Sequence, residues 1–285
     1  MKKIIQKLQD FNELVMFHHS IFSFPFIFIG MVVAANGWFG WQLLLLGIFA
    51  AISARNFAMG VNRYLDRDID AKNPRTANRP NADGRISEKG MLFFIIINAL
   101  LFIVVAGLIN HLALFLSIPI LIILGGYSYF KRFSPLAHII LGISLGLAPI
   151  AGVVAVSASI PLWSVLLSLG VIFWVAGFDL LYSLQDMEFD KKHNLYSIPS
   201  RYGAKATLFI SALFHMLTII FWFLFAWAAS LGFFAFVAVI GSGIILWYEQ
   251  KLVRKDFTQI DRAFFTLNGY LGIAFFALII LDRML

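Results

Sequence analysis

Long apolar runs alternate with polar interruptions along this whole chain, and the runs have the length of a bilayer crossing. A helix that rises about 1.5 Å per residue needs about 20 mainly apolar residues to span the hydrocarbon layer. Such runs lie near residues 20–36, 41–61, 90–108, 112–129, 136–156, 162–181, 205–228, 232–248 and 262–281. The pattern predicts an all-α, polytopic membrane protein with nine transmembrane helices in a single domain, 1–285. The interruptions NGWFG, NH, SASIP and SLG are short and turn-like, whereas 62–89 and 182–204 are long, charged and expected to form loops. Ahead of the first run, Ile4, Leu8, Phe11, Leu14 and Val15 recur at helical spacing, which predicts an amphipathic helix over 1–17 lying on the membrane surface. The start, MKKIIQKLQDFNELVMFHH, lacks an apolar run followed by a small-residue cleavage site, so no removable signal peptide is expected.

Composition agrees with the pattern. The chain is 61% hydrophobic and only 13% charged, with a mean hydropathy of +0.87, leaving too little charge to cover a water-soluble core of this size. With no Cys among its 285 residues, the chain has no disulfide framework, thiolate metal site or cysteine nucleophile. If the N-terminus is placed inside and the spans alternate, 21 of the 22 basic residues fall on the inner side and only Arg283 lies outside. The net charge of +7 is then explained by topology and anionic headgroups, and no nucleic-acid-binding module is visible.

Acidic residues number only 15, and seven fall in two short stretches: Asp66, Asp68 and Asp70 in NRYLDRDID, and Asp179, Asp186, Glu188 and Asp190 in DLLYSLQDMEFD. Both follow an even-numbered span and so face the same side. Residues four apart share a helix face, which groups Asn62, Asp66 and Asp70 in one row and Tyr182, Asp186 and Asp190 in another, each member 120 residues after its counterpart. Either row alone reads equally well as a solvated helix end. Two facing carboxylate rows repel unless a cation lies between them, and Mg2+ suits oxygen ligands completed by water and phosphate. Asp68 and Glu188 point off the rows and read as ordinary polar-face residues, and His18 and His19 as interfacial. Arg75, Arg79, Lys131, Arg132 and Lys191 stand in the same interruptions, and carboxylates for a metal beside cations for phosphate oxygens are what a diphosphate needs. The expected substrate is a phosphorylated lipid.

The segments NRYLDRDIDAKNPRTANRP at 62–80, YSYFKRFSPLAH at 127–138 and DLLYSLQDMEFDKKHNLYSIPSRYG at 179–203, with HSIFSFPF at 19–26, together resemble the UbiA-type membrane prenyltransferases, in particular those that prenylate 4-hydroxybenzoate. The resemblance implies a nine-helix bundle around a central cavity capped by two acidic loops. It implies that Asn62, Asp66, Asp70, Asp186 and Asp190 hold Mg2+ against a polyprenyl diphosphate. It further implies that Arg75, Arg79, Tyr127 and Lys131 contact the phosphates, and that Asp179 and Tyr182 open the second motif. Arg55 matches the position linked to the aromatic acceptor, and its spacing of seven from Asn62 puts it two turns away on the same face. One departure is Arg63, where many members carry Asp after the motif Asn.

The expected reaction is electrophilic aromatic substitution: diphosphate leaves the donor, and the ring carbon ortho to the phenol attacks the allylic cation in a cavity that excludes water. Asp179 is the first candidate for the proton acceptor. Naphthoate, homogentisate and haem B are alternative acceptors. A transporter is the rival of another class, although transport sites tend to lie at the bilayer midplane. A phosphatidyl-group transferase fits less well, because Asp83-Gly84 lies outside the acidic rows. The expected location is a membrane, the cell inner membrane if the source is bacterial, with the N-terminus and the Asp motifs cytoplasmic and the C-terminus opposite.

Overall fold

The structure, a computed structural model, describes residues 2–15 and 24–285. It is all-helical among these residues. The order is α1 (Lys2–Val15), α2 (Phe24–Ala35), α3 (Trp41–Asp70), α4 (Glu88–Ile109), α5 (His111–Gly126), α6 (Ala137–Ser157), α7 (Leu162–Ser183), α8 (Met187–Lys192), α9 (Ile198–Ala228), α10 (Phe233–Lys255) and α11 (Asn268–Met284). Short 3-10 turns follow α5 and α7, and a π-helical turn over Arg262–Leu267 leads into α11. Eight helices among the described residues are long and apolar enough to cross a membrane; α2 is a shorter apolar helix of 12 residues. Nine runs were expected, and the difference rests on α2, whose predicted span began at residue 20. His18 and His19 lie outside the described residues.

Several helices outlast their apolar runs. α3 continues for 30 residues through Asp70, about 45 Å at the helical rise, against about 30 Å of hydrocarbon. The stretch expected to begin a loop at 62 is therefore helix until 70, since no Gly or Pro interrupts it before Pro74. Similarly, α9 begins at Ile198, with a capping box at Ser197 and Ser200 and a kink at Gly203 (φ 78). The row Tyr182, Asp186 and Asp190 was expected on one helical face. It is instead broken by a 3-10 turn over Leu184–Asp186, so its three members sit on α7, the turn and α8.

Small residues let the helices approach closely, as in other membrane bundles. A Cβ on Gly152 of α6 would stand 2.1 Å from the carbonyl oxygen of Ile27 in α2, and one on Gly142 would stand 2.4 Å from that of Ile172 in α7. Backbone oxygens cannot swing aside as side chains do, so Gly152→Val is expected to destabilise the protein by about 1–3 kcal/mol. Thermal unfolding in detergent micelles checks this; an unchanged melting temperature would contradict the close approach. On the other side of α7, Phe26, Trp174, Trp222 and Phe275 form a fully buried aromatic cluster.

The amphipathic α1 packs on protein as well as having the pattern for a surface. Phe11 stacks on Phe94 at 4.9 Å, and Leu14 is buried with Ile86 and Met91. Arg85 pairs with Glu13 and Asp10 beside it, and its hydrogen bonds hold the Glu13 carboxyl below the usual carboxylate range. The C-terminal carbonyls of α1 are taken by two arginines of α3: Arg63 Nε donates to Leu14 at 3.2 Å and Arg55 Nη2 to Val15 at 3.2 Å.

Candidate active site

A cavity of about 480 Å3 opens inside the bundle, within the ordinary range for ligand pockets. Much of its wall is apolar and small, including Ala50, Ala54 and Ala58 of α3, Ala106 of α4 and Ala148 and Ala151 of α6. The polar lining comes from the two acidic stretches and the cations near them. Asn62, Asp66, Asp70, Arg75, Arg79, Tyr127, Lys131, Asp179, Tyr182, Asp186 and Asp190 all border this one space, as does Arg55.

The last two turns of α3 present the first row. Asn62 Nδ2 donates to Asp66 Oδ2 and to Ser128 Oγ, both at 2.9 Å. Asp66 is 3% exposed; Lys131 Nζ lies 2.7 Å from its Oδ2, while its Oδ1 is buried with no hydrogen-bond partner among the described residues. Each Asp70 oxygen accepts one hydrogen bond, Oδ1 from Arg79 Nη1 at 3.0 Å and Oδ2 from Asn81 Nδ2 at 2.9 Å, with Arg63 at 3.9 Å, which leaves each a further lone pair.

The second row is tied to the loop that follows α3 through Arg75. Its Nε donates to Asp186 Oδ1 at 3.0 Å, its Nη2 to Asp186 Oδ2, and its Nη1 to the Tyr182 hydroxyl at 2.9 Å. Asn73 adds a bond to Asp186 Oδ1 at 3.2 Å. Burial works against the Arg75 charge, but the Asp186 and Tyr182 contacts outweigh it and lift the guanidinium above its ordinary value. Asp190 accepts from Ser197 Oγ at 2.7 Å. Asp179, on the last turns of α7, lies 2.7 Å from His138 Nδ1 at the start of α6.

Two residues expected at the site are turned away from it. Arg132 donates to Asp68 Oδ1 at 2.7 Å and to the Leu65 carbonyl at 2.5 Å and does not border the cavity. The 3-10 turn Tyr127–Arg132 sends adjacent side chains in different directions, so Lys131 faces in and Arg132 out. Lys191 pairs with Glu188, three residues back on the exposed face of α8. Conversely, Arg63, Asn73, Ser128 and His138 border the cavity without having been expected to. Arg63, which stands where many family members have Asp, is 5% exposed and ties α1, Asn62 and Asp70 together.

No cluster of three or more His, Asp or Glu side chains suited to a metal ion exists among the described residues. The donor set nonetheless fits Mg2+, which takes few carboxylates and completes its shell with water and phosphate. Asp66 Oδ1 is a buried oxygen without a partner of the kind such an ion fills.

The chain is a multi-pass helical bundle with an internal cavity that is ionic beside the two acidic stretches and apolar along its wall. The chain belongs to the UbiA prenyltransferase family, which residues 23–279 match, and it is a prenyltransferase. It is 32% identical over 238 residues to a 4-hydroxybenzoate octaprenyltransferase from Citrobacter koseri, covering 82% of each chain. A protein of the same name from Salmonella paratyphi B is 31% identical, covering 82% of this chain and 81% of that one. Among solved structures, the apo form of a UbiA homolog from Aeropyrum pernix K1 superimposes with a TM-score of 0.84 at 33% identity, covering 94% of this chain and 98% of that one. A UbiA homolog from Archaeoglobus fulgidus bound to GPP and Mg2+ shares the fold at a TM-score of 0.75 and 20% identity, covering 95% of this chain and 99% of that one.

Proposed function

We propose that this prenyltransferase moves a polyprenyl group from an all-trans polyprenyl diphosphate to 4-hydroxybenzoate, at the carbon ortho to the hydroxyl, in quinone biosynthesis. The observation that carries the reading is that both acidic stretches border one cavity with an apolar wall, with Arg75 of the loop after α3 bound to Asp186 and Tyr182 beside it. The names of the relatives from Citrobacter koseri and Salmonella paratyphi B support the acceptor, and the GPP and Mg2+ of the Archaeoglobus fulgidus protein support the donor class and the ion.

Asn62, Asp66, Asp70, Asp186 and Asp190 would hold Mg2+, which supplies positive charge to the diphosphate oxygens as the allylic bond breaks. Arg75, Arg79 and Lys131 bind the same oxygens as fixed cations, already oriented by Asp186, Asp70 and Asp66. Tyr127 and Tyr182 border the headgroup region, and the alanine-rich wall receives the isoprenoid and keeps water from the cation. Arg55 binds the acceptor carboxylate. The gathering of 21 of 22 basic residues on one side supports a cytoplasmic N-terminus and cytoplasmic acidic helix ends, in an inner membrane if the source is bacterial.

The test is an acceptor panel with Mg2+ and one all-trans polyprenyl diphosphate. 4-Hydroxybenzoate is expected to give a C-prenylated acid and free diphosphate faster than a naphthoate, homogentisate or haem B. Preferential prenylation of any of those three would replace the acceptor assignment and leave the donor site standing.

A further inference from the structure

Electrophilic substitution on an aromatic ring must end with the loss of a ring proton, in a cavity built to exclude water. Most of the acidic groups bordering the cavity are committed to fixed cations: Asp66 to Lys131, Asp70 to Arg79 and Arg63, and Asp186 to Arg75. Asp190 accepts from the Ser197 hydroxyl. Asp179 differs from all of them, because its partner, His138 Nδ1 at 2.7 Å, belongs to an imidazole whose second ring nitrogen can accept a proton.

His138 is 6% exposed and borders the cavity together with Asp179. A carboxylate at this distance accepts the Nδ1 proton and fixes the tautomer, which leaves the Nε2 lone pair available. Nε2 is buried and has no hydrogen-bond partner among the described residues. An oriented imidazole with one nitrogen held by a carboxylate and the other uncommitted is the arrangement of a general base.

Resting on the aromatic-acceptor reading, we propose that His138 is the proton acceptor that restores aromaticity after prenyl transfer, with Asp179 as its positioning residue. The donor C–O bond breaks and its electron pair leaves with diphosphate. A ring π pair then forms the new C–C bond to the prenyl carbon. The C–H bond at that ring carbon breaks, its electron pair re-enters the ring, and the proton passes to Nε2. The imidazolium so formed lies against the Asp179 carboxylate, which stabilises its charge. The proton leaves by exchange with water after product release.

The experiment compares 4-hydroxybenzoate with its 3,5-dideuterated form. In the unaltered enzyme, rapid proton removal after C–C bond formation is expected to give an isotope effect near unity. In His138→Gln and in Asp179→Asn, removal becomes slow, the rate falls about tenfold or more, and a primary isotope effect appears. Mg2+-dependent binding of the donor is expected to stay unchanged in both variants, which separates this role from a collapse of the site. Unchanged rates, or a fall in rate with the isotope effect still near unity, would overturn the assignment. If the unaltered enzyme forms no prenylated 4-hydroxybenzoate but prenylates another ring, the acceptor reading fails and the same comparison on that ring decides the role of His138.

Discussion

Asp66→Asn is expected to lower prenyl transfer by about a hundred- to a thousand-fold, the range seen when a preorganised electrostatic group is removed from a reacting centre. Asp66 is nearly inaccessible, receives Lys131 and Asn62 on one oxygen and keeps the other without a partner. A neutral amide there holds a divalent ion far more weakly than a carboxylate, and it leaves Lys131 without its counter-ion. The side chain keeps its size, so the fold should persist. Intact protein by thermal unfolding, with activity lost in a steady-state assay, is the expected pair of results. Asp70→Asn should behave differently, losing stability as well, because Arg79, Arg63 and Asn81 converge on that carboxylate.

Arg75→Gln is expected to cost about a hundred-fold in kcat/KM for the donor, since an arginine clamp both positions a diphosphate and meets the charge that develops on it. Arg75 also joins the loop after α3 to the turn after α7, through Asp186 and Tyr182. Arg75→Lys should recover little of the loss, because one ammonium cannot reproduce three donors in a planar fork. Steady-state kinetics over donor concentration checks both variants; near-normal kcat/KM in Arg75→Lys would show that charge alone suffices.

The spans were legible because lipid imposes a length on apolar runs, and the rows were legible because carboxylates are rare in such a chain. The ends of the spans were not. Hydropathy marks where a helix leaves hydrocarbon, whereas α3 ends where its backbone meets a turn before Pro74, nine residues beyond the predicted 61. Spacing placed Asn62, Asp66 and Asp70 together, as they are on α3. The same spacing failed for Tyr182, Asp186 and Asp190, since an i, i+4 rule does not hold across a 3-10 turn. Charge type could not separate Lys131 from Arg132, whose directions are set by local backbone. His138 had no partner by spacing, because Asp179 is 41 residues away and meets it only through the packing of α6 on α7. The hold of Arg55 and Arg63 on the carbonyls ending α1 is equally a tertiary matter.

The claim under all of this is that helix ends from the two halves of the chain jointly hold one ion and one diphosphate. Electron paramagnetic resonance of Mn2+ in place of Mg2+, with a non-hydrolysable prenyl diphosphate analogue bound, measures it directly. Asp66→Asn and Asp186→Asn are each expected to abolish the tightly bound Mn2+ signal. Retention of the full signal in either variant would show that the ion is held by one half alone.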